Sequence, residues 1–249
     1  MHYPRIWNTP WFDWLQYNGS IMQPMVRNAG KSIGVSAELN LTDPSKGLYK
    51  SSVNVEQLYE MEQMIKGDTP PNAKDGFPGL RSPKWPGDIL PPIDQKLADK
   101  GAELYKTHCQ ECHRPPASSA AFWDFNNKDW WRKNDAGEPI LKVENVPISH
   151  IGTDPAQAAD MISRTVALPA DLGIDKSGFA DALGAVVANT VNYVFDQKKP
   201  PASPADRQRI DGYMPNELRG ELAYKVRPLN GVWATPPYLH NASVPTIEH

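Results

Sequence analysis

The pentapeptide Cys109-Gln110-Glu111-Cys112-His113 uses both of the chain's cysteines and constrains it more than any other feature. This CxxCH spacing is the attachment signature of a c-type haem. Each thiol adds across one vinyl group of the porphyrin as a thioether, and two intervening residues set the sulfurs about one vinyl-to-vinyl distance apart. The adjacent histidine is then directed at the iron, for which a neutral imidazole nitrogen is a standard axial ligand. On this reading Cys109 and Cys112 are the covalent tethers and His113 the proximal ligand.

Three other readings compete. A redox-active CxxC normally follows a strand, at the start of a helix, whereas the stretch before Cys109 reads as a helix. A structural zinc needs four ligands, usually from two paired motifs. The remaining histidines (His2, His108, His150, His240, His249) offer no such pairing. A disulfide between Cys109 and Cys112 would close a very small, strained loop.

The flanks favour haem. Pro91-Pro92-Ile93 ends an extended stretch, and Asp94 is a good N-cap for a helix running to about His108. Leu97, Gly101, Leu104, Tyr105 and His108 recur at three- and four-residue spacing and share one face. Gly101 would let a neighbouring helix approach its backbone. The string G-x-x-x-Y-x-x-x-C-x-x-C-H resembles the first helix of cytochrome c domains, which crosses the C-terminal helix of that fold at the small residue.

Elsewhere the signals are coarser. Residues 1–50 are rich in aromatics (Trp7, Trp11, Phe12, Trp14, Tyr17) and proline, with little clean periodicity. Residues 55–67 read as a helix closed by Gly67, and 68–92 as a long ordered loop. Residues 115–150, with Phe122, Trp123, Trp130 and Trp131, read as a loop excursion over a pocket. Helices are predicted after Asp154-Pro155 and over 178–196, followed by a polar linker at 197–206. Nothing alternates over a run long enough to propose a major sheet. The 25 prolines among 249 residues, about twice the usual ~5%, fit short helices separated by ordered irregular segments.

A net charge of −3 gives no basic surplus to suggest nucleic acid, and no 18-residue apolar run predicts a membrane span. Haem c is attached outside the bacterial cytoplasm, so a periplasmic or secreted location is expected. Met1-His2-Tyr3-Pro4 opens no signal peptide, and Ser243 to His249 breaks off where a helix should begin. These ends read as those of an internal fragment of a longer exported protein.

Two further strings carry a wider resemblance. The first runs from Phe12-Asp13-Trp14-Leu15-Gln16-Tyr17-Asn18-Gly19-Ser20 through Gln23-Pro24-Met25-Val26-Arg27-Asn28-Ala29-Gly30. The second runs Lys225-Val226-Arg227-Pro228-Leu229-Asn230-Gly231-Val232-Trp233-Ala234-Thr235-Pro236-Pro237-Tyr238-Leu239-His240-Asn241. With CxxCH between them, they resemble the di-haem c-type oxidoreductases that include rubber oxygenase and bacterial fatty-acid dioxygenases. More distantly they are similar to bacterial di-haem cytochrome c peroxidases. The single motif matches that family's second, C-terminal haem.

The resemblance implies a mainly α fold. Residues 91–249 would form a cytochrome c-like haem domain with long ordered loops. Residues 1–90 would be an irregular aromatic- and proline-rich segment with one short helix. It also implies that Trp14 or Tyr17 stands between two haems, and that Arg227 and His240 contact haem propionates or an inter-domain polar network. Thr235 and Pro237 match positions that hold calcium in the peroxidases. For the sixth iron ligand Met214 and His240 are candidates, while the resemblance itself places that ligand beyond residue 249. The implied function is electron transfer to a second haem domain of the same parent chain, or to a redox partner protein. The alternative is a parent peroxidase or dioxygenase acting on peroxide or an unsaturated organic substrate, which sequence does not name.

Overall fold

Helix α7 (Phe179–Gln197) forms where the apolar spacing predicts it, burying Ala182, Val186, Val187, Val191 and Phe195. In the computed structural model, which describes residues 5–175 and 177–248, α7 packs on α1 (Pro24–Val35). The expectations drawn on Met1 to Pro4 and on His249 lie outside the described residues, as does Lys176. Pro24 opens α1 at the position where a missing N–H costs nothing. A side chain at Gly30 would meet Val187 at 3.6 Å, so the two helices approach closely there. Helix α2 (Val55–Lys66) is capped by the Asn54 side chain, which accepts from Gln57 N at 3.1 Å. A buried ion pair between Arg27 and Glu62 joins α1 to α2, and Asn28 Nδ2 donates to Glu62 Oε2 at 2.9 Å.

A second core is aromatic. Trp11, Phe12, Phe77, Phe122, Trp123 and Trp131 bury their rings together with Ile140, Leu141 and Met214. Phe77 and Phe122 lie at 5.9 Å, and Trp123 stacks on Trp131 at 5.8 Å. A buried ring of this size removes roughly 150–250 Å² from water, about 4–6 kcal/mol at about 25 cal/mol per Å². The stretch expected to arch over a pocket is thus packed interior at Phe122, Trp123 and Trp131. Both cores draw on residues before and after position 90.

The mainly α expectation is corrected by the strands. Among the described residues there are eight α-helices, and about 40% of the chain is helical against 11% in strands and bridges. Strands β1 (Trp131–Lys133) and β2 (Pro139–Leu141) pair antiparallel, as do β3 (Glu144–Pro147) and β4 (Ala223–Val226). Strands of three or four residues are too short for alternation to show, and β3 and β4 come from distant parts of the chain. The N-terminal stretch is also less irregular than expected, since it carries α1 in addition to α2.

Helix α3 (Gln95–His108) forms as predicted, with Asp94 accepting from Lys96 N and Leu97 N at 2.9 and 3.2 Å. Tyr105 apart, its apolar stripe is largely uncovered. Leu97 and Leu104 are exposed, and no atom lies within 4 Å of where a side chain on Gly101 would start. The expected helix crossing at Gly101 is therefore not formed by residues of this structure. The remaining helices, α4 (Gln110–His113), α5 (Ile148–Ile151), α6 (Ala156–Ser163) and α8 (Pro204–Ile210), are short. No helix among the described residues is long and apolar enough to cross a membrane.

Candidate functional site

The CxxCH motif forms a single helical turn, α4, directly after α3. Arg114 ends it at φ +68, in the left-handed region. The Tyr105 hydroxyl donates to Arg114 O at 2.7 Å, tying the last turn of α3 to the end of the motif. Burial, with the neighbouring Cys109, pushes this phenol up to about 12, so it stays a donor. Arg114 reaches Glu144 of β3 at 3.7 Å and lies over the Trp130 ring at 5.9 Å. The motif is thereby moored to the β3–β4 sheet.

Both cysteines are half-buried free thiols. Burial pushes the Cys112 thiol up, and the carboxylates of Glu144 and Glu111 add to the effect.

His113 is the residue around which the geometry converges. Its Nδ1 lies 2.7 Å from the carbonyl oxygen of Arg227, just past the end of β4. A carbonyl can only accept, so Nδ1 carries the proton and Nε2 keeps its lone pair. Burial lowers the imidazole pKa, Arg5 lowers it further, and the bond to Arg227 opposes both. The ring is therefore neutral at neutral pH. A metal-ligating histidine usually donates its other nitrogen to a carbonyl in this way.

His113 also lines a cavity of about 490 Å³, within the size range of small-molecule sites. Leu15, Val226, Leu229, Val232, Val244 and Ile247 supply apolar lining. Tyr17, Tyr224, Lys225, Arg227 and His240 supply polar groups, and Arg5, Arg27 and Lys31 also border it. The 238–244 turn closes on itself through Tyr238 N to Val244 O at 2.6 Å, bringing Tyr238, Leu239, His240 and Val244 to the cavity. A neutral histidine with a free Nε2, facing a largely apolar cavity, suits a planar apolar macrocycle held through its metal.

The other residues singled out from sequence divide into two groups. His240 is at the cavity, stacked on Tyr224 at 3.8 Å, with Nε2 at 3.3 Å from Thr153 Oγ1. Tyr17 is there too, its ring 6.3 Å from that of His240. The Arg227 guanidinium donates to the carbonyls of Arg5 and Trp7 at 2.7 Å each, and burial brings its pKa down to about 9. Thr235 lines the cavity, but its hydroxyl donates to Val232 O at 3.1 Å. Among the described residues no three His, Cys, Asp or Glu side chains converge, so the calcium expectation gains no support from them.

Met214 and Trp14 stand elsewhere. Met214 is buried in the aromatic core and does not line the cavity. Trp14 packs beside the same core, with the Arg219 guanidinium 3.9 Å above its ring. Of the two bridge candidates, the structure brings only Tyr17 to the cavity of His113. Neither cysteine is among the lining residues, so His113 is where the motif meets the cavity. Sequence reasoning missed Arg5, Tyr224 and Lys225. Lys225 was visible only as the first residue of the second string, and Tyr224 lies just before it.

Residues 223–249 match the RoxA-like, cytochrome c-like family model. This match covers β4, the Arg227 carbonyl and the turn that carries His240. Across 99% of its length the chain is 50% identical to the uncharacterized protein y4iJ of Sinorhizobium fredii. It is 25% identical, again over 99% of its length, to the uncharacterized protein y4iM of the same organism. It spans 41% and 43% of those two proteins, about two fifths of each. No solved structure matches the chain.

Proposed function

We propose that this chain is a haem c-binding electron-transfer domain of a larger di-haem oxidoreductase in an exported, periplasmic or secreted compartment. Cys109 and Cys112 are its thioether tethers and His113 its proximal ligand. The observation that carries the reading is the 2.7 Å contact between His113 Nδ1 and Arg227 O, which leaves Nε2 free on a ring that lines the cavity. The cytochrome c-like match over residues 223–249 falls on the strand and turn that complete that cavity.

When bound, haem supplies one-electron redox chemistry at its iron. The protein's own part is to hold one tautomer of His113, to exclude water with apolar walls, and to set buried positive charge beside the site. The electron partner is a second haem domain of the same parent or a separate redox protein. The likeness to RoxA-like sequences also supports the alternative, a parent peroxidase or dioxygenase acting on an organic substrate.

The test is maturation of the chain behind an export signal. Mass spectrometry is expected to show one haem per chain, and the colour is expected to survive denaturation and acid–organic extraction. An absent or extractable haem would overturn the reading. Stable oxygen binding by the ferrous protein would favour the enzyme alternative.

A further inference from the structure

Lys225 stands in an unusual electrostatic position. It lies on β4 two residues before Arg227, and extended backbone sends positions two apart to the same side. Both cations sit over the Phe12 ring, Lys225 Nζ at 5.8 Å and Arg227 Cζ at 5.0 Å. The Lys225 ammonium has no hydrogen bond and no ion pair among the described residues, apart from that ring contact. Its pKa is pushed well down by burial first, then by Arg227, Arg27 and Lys31, with Asp13 opposing.

The nearby anions are already engaged. Asp13 accepts from Val143 N at 2.9 Å, and Glu62 is paired with Arg27. Beside Lys225 at the cavity, Arg227 Nε and one terminal nitrogen of Arg5 are buried without a partner, while Lys225 itself is half-buried. Buried cations without counter-charges are costly to hold. Nothing in the packing of β4 requires a lysine there, since an apolar side chain would also cover Phe12. The wall is built for negative charge that the protein itself does not supply.

We infer that Lys225, seconded by Arg227 and Arg5, is the counter-charge for carboxylates of the group that seats against His113. This rests on the haem reading, in which those carboxylates are the porphyrin propionates. The ammonium would then serve two ends. It neutralises anionic groups that the apolar cavity would otherwise reject, and it favours the reduced iron, because a nearby positive charge disfavours the more positive ferric state. Lys225 acts here as a positioning and potential-setting residue, with no contact to the iron.

The experiment uses the full chain matured with haem, with the mass of the adduct checked first. No adduct in the wild-type protein would sink the haem reading itself, independently of Lys225. With adduct present, spectroelectrochemistry on Lys225→Met is expected to show a lower midpoint potential, with Lys225→Arg restoring it. Infrared redox-difference spectra of protein carrying propionate-labelled haem are expected to shift in the carboxylate bands for Met only. Equal midpoints and unchanged bands in all three proteins would overturn the inference and leave the haem reading standing. Should Lys225→Met fail to mature, the wild-type carboxylate band decides: an ion-paired frequency supports the assignment and a freely solvated one refutes it.

Discussion

His113 and Arg227 are 114 residues apart in sequence, yet the imidazole Nδ1 and the backbone carbonyl oxygen meet at 2.7 Å. The contact is to main chain, so it depends on where β4 ends and not on the arginine side chain. The β3–β4 pairing sets that endpoint through Glu144 opposite Val226, and Arg114 ties the motif to the same Glu144. A one-residue slip of β4 would remove Arg227 O from the ring and turn its side chains to the other face.

From this follows the first expectation. His113→Ala keeps both thiols, so covalent haem should still appear in the mass spectrum. The Soret and visible bands and the midpoint potential should change, because the iron loses its oriented imidazole. An unchanged spectrum would show that another histidine holds the metal.

The cavity separates the two internal candidates for the distal side. Met214 belongs to the aromatic core, whereas His240 stands at the cavity against Tyr224. Met214→Leu conserves volume and should cost less than about 1.5 kcal/mol, leaving the carbon monoxide binding rate of the reduced protein as it was. His240→Ala empties part of the cavity wall and should alter that rate. The reverse pattern would place the sulfur at the iron and refute the assignment of Met214 to the core.

What could be read from sequence was local and periodic. α3 follows from its cap at Asp94 and from three- to four-residue spacing, and α7 from apolar spacing alone, signals that act within a few residues of each other. Helix α1 was hidden because Gly30 and Gly34 lower its propensity, and its Gly30 makes sense only once Val187 is opposite. The β3–β4 sheet and the His113–Arg227 contact were hidden for another reason. They join segments whose short strands carry no pattern of their own. Lys225 was in view throughout, but a charge becomes informative only when its surroundings show that nothing pairs with it.

The Arg27–Glu62 pair gives a stability test that can be read on the chain without bound haem. Both side chains are buried, and Asn28 also donates to Glu62 Oε2. Arg27→Met leaves a carboxylate buried without its counter-ion and should cost about 3–5 kcal/mol in urea unfolding. Adding Glu62→Gln removes that charge while keeping an acceptor for Asn28, so the double variant should recover most of the loss. Additive losses would mean the two residues do not act as a pair.

Asp211, at the end of α8, offers a pH-dependent test. Its Oδ1 is buried without a partner, and burial raises its pKa from 3.8 to about 6, against an opposing pull from Arg207. Between about pH 3.8 and about pH 6 the folded protein keeps this proton while the unfolded chain releases it. Stability from this residue is therefore full below the lower value, falls as pH rises through the window, and stays reduced above it. Asp211→Asn carries no such charge. It should melt close to the wild type at pH 4 and higher than the wild type at pH 7, by roughly 1–3 kcal/mol of stability. The difference should open between those values and then stay level to pH 8. A gap of constant size across the range, or a wild type more stable at pH 7, would mean that the carboxylate finds a partner in the folded protein.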